Sequence, residues 1–160
     1  MKYTIKAHPT KYNDVQYRSR LEARWAAFLD LADWHYEYEP IDLIGWSPDF
    51  MVKIPCRHSE CGGSHSLLVE VKPYYNIDDF KGHPCMDYPY GFAYPNGVLD
   101  ETKSIPADAS AAFGINPTVT HWEMAHGSGG AEECLENWHP WPNHMMQDWA
   151  EAGNIVQYLP

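Results

Sequence analysis

Trp46-Ser47-Pro48-Asp49-Phe50-Met51-Val52-Lys53-Ile54, read together with Ser66-Leu67-Leu68-Val69-Glu70-Val71-Lys72, decides the fold. Both segments are short, apolar and rich in residues that suit a pleated sheet. Between them Pro55 to Ser64 (PCRHSECGGS) has turn composition, so the pair predicts a β-hairpin, and Pro73 stops its second strand. Side chains alternate along a strand, so Glu70 and Lys72 share one face.

Working outward, Ser19 and Glu22 stand in the S-x-x-E spacing of a capping box, and Leu21, Trp25, Phe28 and Leu29 recur at three and four residues. The spacing predicts a helix over 19–33. His35-Tyr36-Glu37-Tyr38-Glu39 alternates as a strand that ends at Pro40. Residues 1–17 read as extended or irregular, broken at Pro9 and Asn13-Asp14. Downstream the signals weaken. Four prolines within 73–97 argue against regular structure there, and 100–113 reads as a short helix interrupted by Pro106. Thr118 to Met124 alternates as a strand, and His126 to Ala131 (HGSGGA) reads as a loop. Asn143 to Ala152 reads as a helix ended by Gly153, with Ile155 to Tyr158 as an edge strand.

The chain has 160 residues, enough for one domain with a real core. Hydrophobic residues are 44% and charged residues 21%, as in ordinary globular proteins. No apolar run is long enough to span a bilayer, and the first residues lack the character of a secretory signal, so a cytoplasmic setting is expected. The net charge of −11 argues against a simple nucleic-acid binder. The charge is uneven, however. Residues 1–75 hold nine Lys/Arg against ten Asp/Glu, whereas 76–160 hold two against twelve. Lys2, Lys6, Lys11, Arg18, Arg20 and Arg24 cluster near Glu22, and Arg18, Arg20 and Arg24 are candidate phosphate contacts or, equally, a solvated helix face. The acidic half suits solvent or a partner protein.

Asp49 and Glu70 on neighbouring strands have the chemistry to share a Mg²⁺ or Mn²⁺ ion, with the Val71 backbone carbonyl as a further oxygen ligand and Glu22 as support from the helix. Lys72 would orient a water or neutralise a phosphate beside them. The plain alternatives are an ion pair between Glu70 and Lys72, and a capping role for Glu22.

The ordered set Glu22, Pro48-Asp49 and Glu70-Val71-Lys72 resembles the PD-(D/E)XK nuclease superfamily. Tyr17-Arg18-Ser19-Arg20-Leu21-Glu22-Ala23-Arg24-Trp25, Tyr36-Glu37-Tyr38-Glu39-Pro40 and Glu70-Val71-Lys72-Pro73 are similar to small phage and prophage members and to the transposon-end endonuclease branch. The resemblance covers 15–75, the motif core, and leaves 76–160 as a divergent, acidic, Trp/Tyr/Pro-rich completion of a single domain. It implies an α/β (α+β) restriction-endonuclease-like core, a mixed sheet flanked by helices. It also implies a Mg²⁺-dependent endodeoxyribonuclease with Glu22, Asp49, Glu70 and Lys72 as catalytic residues and DNA as partner, acting as a homodimer or with a partner protein when both strands are cut. The alternative is a non-catalytic protein on the same scaffold whose acidic half binds a host or phage protein.

Cys56, His58, Cys61 and His65 at the hairpin tip offer a second metal reading, a structural Zn²⁺ held by two thiolates and two imidazoles, with His83 and Cys85 as substitute ligands. An ordinary Gly-containing turn is the competing reading, and irregular Cys spacing gives no disulfide framework.

Overall fold

A computed structural model of the chain describes residues 7–43, 45–56, 63–86, 107–126, 129–139 and 142–157. Strands β1 (Thr10–Tyr12) and β2 (Val15–Tyr17) form a small separate hairpin. Asn13 and Asp14 between them both take positive φ, +50° and +65°, as a two-residue type I′ turn requires. Helix α1 (Arg20–Leu31) follows, then β3 (His35–Tyr38), β4 (Phe50–Pro55), β5 (Ser64–Val71), β6 (Ala109–Phe113), β7 (Thr120–His126), β8 (Gly129–Glu133) and helix α2 (Met145–Gln157). The result is an α+β fold built on a six-stranded mixed sheet in the order β3-β4-β5-β6-β7-β8, in which β5 and β6 run parallel and every other pair is antiparallel.

The capping box forms as the sequence dictates. The Glu22 N–H donates to Ser19 Oγ, and the Ser19 N–H donates to Glu22 Oε1, each at 3.1 Å. The helix ends in a Schellman arrangement, with the Trp34 N–H on the Leu29 carbonyl and Asp33 at φ +59°. One stripe of α1, including Trp25, Phe28 and Leu29, is wholly buried. It packs with Trp149 and Val156 of α2 over Phe50, Val52, Val69 and Phe113 of the sheet. Trp25 anchors this layer, touching Phe113 and Trp149 with its ring and donating Nε1–H to the Gly114 carbonyl at 3.0 Å. The other face of the sheet has a smaller cluster of Trp46, Leu68, Phe80, Cys85 and Ala112. No helix among the described residues is long and apolar enough to cross a membrane.

Four elements depart from the sequence reading. Ala109 to Phe113 is a buried central strand instead of part of a helix: alanine's helix preference yields to ladder pairing with β5 on one side and β7 on the other. The remainder of that segment, up to residue 106, lies outside the described residues. The segment read as a loop after His126 contributes β8, which pairs back on β7 from Trp122↔Glu133 to His126↔Gly129. Helix α2 does not stop at Gly153 but runs to Gln157, so Ile155 to Gln157 is helix and not an edge strand. Gly153 serves a close approach: a Cβ there would lie 2.7 Å from Arg24 Cζ, so the glycine makes room for the arginine. Finally, the proline-rich stretch includes two single 3₁₀ turns, Ile77–Phe80 and Pro84–Met86, which cover the second face of the sheet.

Candidate functional site

The antiparallel register of β4 and β5 brings Phe50 opposite Val69, and one step further along it Asp49 meets Glu70. The N-terminus of α1 arrives at the same end of the sheet. A cavity of about 420 Å³ opens there, lined by Arg18, Glu22, Asp49, Glu70, Val71 and Lys72 among others. Three carboxylates separated by up to 48 positions in sequence thus border one space, and each is nearly inaccessible: Glu22 is 5% exposed, Asp49 2% and Glu70 6%.

Every one of these side chains is held. Asp49 Oδ2 accepts the Val71 N–H at 2.7 Å, while Oδ1 accepts Arg18 Nη2. The group of Val71 that meets Asp49 is therefore its amide. Glu22 Oε1 carries the capping bond and also accepts the Tyr38 hydroxyl at 3.0 Å. Its second oxygen, Oε2, is 3.2 Å from the same Arg18 nitrogen that bonds Asp49. Capping and meeting Arg18, which compete when only one oxygen is considered, are divided between the two oxygens of one carboxylate. Lys72 Nζ lies 3.7 Å from Glu70 Oε2 and its side chain is 36% exposed, at the rim.

Two residues that sequence reasoning missed complete the site. Trp46 Nε1 donates to Glu70 Oε1 at 3.0 Å, and His83 Nε2 lies 3.3 Å from the same oxygen. His83 Nδ1 accepts the Cys85 N–H at 3.0 Å, so Nε2 carries the proton and donates to Glu70. This is what His83 does in place of the zinc-ligand role open to it in the sequence. Trp46 sits just ahead of the Pro-Asp pair, a usable signal; His83, eleven residues past Lys72, gave none.

Two carboxylates this close and this dry repel each other, and Arg18 on Asp49 and Lys72 beside Glu70 offset the repulsion only in part. Burial, then the charge of Glu70 and a hydrogen bond to it, push Asp49 far above the usual carboxylate range. Burial also acts to raise Glu70, but its bonds to His83 and Asp49, the charge of Lys72 and the Trp46 donor outweigh burial and hold it ionised. The pair therefore shares one proton between them. An all-oxygen set of three carboxylates is the donor chemistry that a hard divalent cation prefers, so Asp49, Glu70 and Glu22 fit Mg²⁺ or Mn²⁺.

The three arginines separate. Arg18 lies in this cavity. Arg20 is exposed and borders a different cleft, between α1 and α2. Arg24 is turned to α2: Nε and Nη2 both donate to the Trp149 carbonyl at 3.0 and 2.8 Å, and the guanidinium stacks 4.1 Å over the Trp149 ring. Its pKa is lowered by burial. Two of the three Arg24 nitrogens thus join the helices.

Of the hairpin-tip set, Cys56 and His65 are buried at the root of the β4–β5 turn, with the His65 ring 5.6 Å from Trp138 and Nδ1 3.7 Å from Asp108. His58 and Cys61 lie outside the described residues. A different group emerges on β7 and β8. His121, Glu123 and Glu132 each offer one ligand atom, and these atoms lie within 4.8 Å of one another, a set with the capacity to coordinate a divalent metal. Glu70 faces Ala112, which faces His121, so this group stands on the same face of the sheet two strands away, roughly 10 Å.

The chain matches no protein-family model, no curated protein and no solved structure.

Proposed function

We propose that the chain is a metal-dependent endonuclease that hydrolyses phosphodiester bonds in DNA, of the phage or mobile-element kind that its motif order resembles. The observation that supports this reading is the meeting of Glu22, Asp49, Glu70 and Lys72 around one cavity, from three separate elements. A bound Mg²⁺ or Mn²⁺ supplies charge for the phosphate oxygens and makes water acidic enough to attack near neutral pH. The chain's residues do the rest. Asp49 and Glu70 hold the ion, Glu22 backs it from the helix, and the Val71 amide fixes Asp49. His83 and Trp46 point Glu70 into the cavity. Lys72, at the rim beside Glu70, meets the incoming water or the phosphate. The mixed sheet with two helices is compatible with a restriction-endonuclease-like core.

The test is nicking of supercoiled plasmid with Mg²⁺ or Mn²⁺. Nicked circles should accumulate with the wild-type protein and not with Asp49→Ala or Lys72→Ala, both checked for folding by circular dichroism. Undiminished cutting by both variants rejects the assignment.

A further inference from the structure

Arg18 is bound more closely to the carboxylates than a residue reserved for substrate needs to be. It lies between β2 and the N-cap of α1, and its own N–H and its Nε both approach the Tyr38 hydroxyl, at 3.1 and 3.3 Å. The terminal nitrogen Nη2 bonds Asp49 Oδ1 and Glu22 Oε2 together, and Nε lies 3.5 Å from Glu39. The oxygens it takes matter. Asp49 Oδ2 is committed to the Val71 amide, and Glu22 Oε1 to the helix cap and Tyr38. Arg18 uses Oδ1 and Oε2, the two oxygens that those bonds leave, and a metal held by both residues would need them. A guanidinium and a divalent ion cannot occupy the same lone pairs.

The two sides of this contact differ in burial. Asp49 and Glu22 are buried and pinned by their other bonds, with side chains 3% and 7% exposed. The Arg18 side chain is 60% exposed and is flanked on its solvent side by Glu39, 56% exposed. It can leave without disturbing the core, and Glu39 gives it a place to rest at the rim. Lys72 stands at the same rim.

We propose that Arg18 is an internal competitor for the metal site: ion entry displaces its guanidinium from Asp49 and Glu22, and the released arginine then meets the phosphate of the substrate. This rests on the metal reading of the Asp49 site and adds to it a coupling. Phosphate draws Arg18 outward, so substrate tightens the hold on metal, and metal tightens the hold on substrate by the same factor. A metal-poor enzyme keeps both its ion site and its phosphate contact closed by one side chain.

The experiment is calorimetric titration of Mn²⁺ into the wild-type chain, Arg18→Ala, Arg18→Lys and Asp49→Asn, with thermal unfolding of each alongside. Removing a charge-assisted contact that is partly open to solvent should tighten Mn²⁺ binding about tenfold in Arg18→Ala. The metal-free Arg18→Ala protein should melt earlier than wild type, and saturating Mn²⁺ should raise its midpoint by more than it raises the wild type's. Arg18→Lys keeps the charge but loses the Nε contacts to Tyr38 and Glu39, so it should show a smaller tightening and carries the test should the alanine variant fail to fold. Mn²⁺ binding that is present in wild type, absent in Asp49→Asn and unchanged or weaker in both Arg18 variants overturns the competition while leaving the metal site intact. Mn²⁺ binding that is absent from every variant, or indifferent to Asp49→Asn, removes the metal reading and the competition together.

Discussion

Asp49→Asn should make the metal-free protein more stable at alkaline pH, although it removes the central residue of the site. In the folded chain burial and the neighbouring Glu70 raise the Asp49 pKa to about 9, whereas an unfolded aspartate titrates near about 4. Between those values the folded state binds a proton that the unfolded state has lost, so stability falls as pH rises, by up to about 1.4 kcal/mol per unit. The penalty is absent below the unfolded pKa, grows from about pH 4, and stops growing above about pH 9. At pH 8 the upper bound is about 5 kcal/mol. Arg18 on Oδ1 and local relaxation reduce it, to a working figure of about 1–3 kcal/mol. Asparagine has no charge to bury: its oxygen accepts the Val71 amide, and its NH₂ takes the place of Oδ1, from which the exposed Arg18 side chain moves out to solvent. The variant should therefore melt roughly 3–10 °C above wild type at pH 8 in chelator, for a chain of this size, and near wild type at pH 4. Excess Mn²⁺ should close the gap by stabilising wild type alone. An asparagine variant less stable than wild type at pH 8 without metal would refute the reasoning, by showing Asp49 ionised and stabilised as the partner of Arg18.

Three further perturbations follow from the geometry. Lys72→Ala should keep Mn²⁺ affinity within about threefold by calorimetry while plasmid nicking is lost, because its amine neighbours Glu70 without being a metal ligand. Gly114→Ala should destabilise the chain by about 1–3 kcal/mol in urea titration, since the new Cβ would lie 2.7 Å from the Tyr74 carbonyl oxygen and 2.5 Å from Val119 Cγ1; a neutral result would contradict this packing. Ser19→Ala should cost about 1 kcal/mol through the lost cap, and should also loosen Glu22, seen as weaker Mn²⁺ binding; unchanged stability would mean that the capping box contributes nothing here.

The legible parts of the sequence were those whose signals are local. Ser19 and Glu22 marked the start of α1 because a capping box is complete within four residues, and the apolar recurrence from Leu21 to Leu29 marked its buried stripe. β4 and β5 were legible from their short apolar runs and the turn composition between them. The set Glu22, Asp49, Glu70 and Lys72 could be named because family-like order carries information that no single pair does; that they border one cavity is a fact of the tertiary fold. What escaped was decided at long range. Ala109 to Phe113 is a strand because it pairs with β5 and β7, both distant in sequence. Gly153 reads as a stop until Arg24, from the other helix, is seen packed on it. β8 is rich in glycine, and its partner strand supplies the order that its own residues do not. His83 reaches Glu70 through a 3₁₀ turn whose placement no periodicity foretells.

The central claim is that Asp49 and Glu70 hold a divalent ion. Anomalous diffraction from a crystal soaked in Mn²⁺ tests it most directly. A peak is expected roughly 2.2 Å from carboxylate oxygens of both residues, with the Arg18 guanidinium moved off Asp49. No peak there, with Arg18 still bound to Asp49, or a peak confined to His121, Glu123 and Glu132, would contradict it.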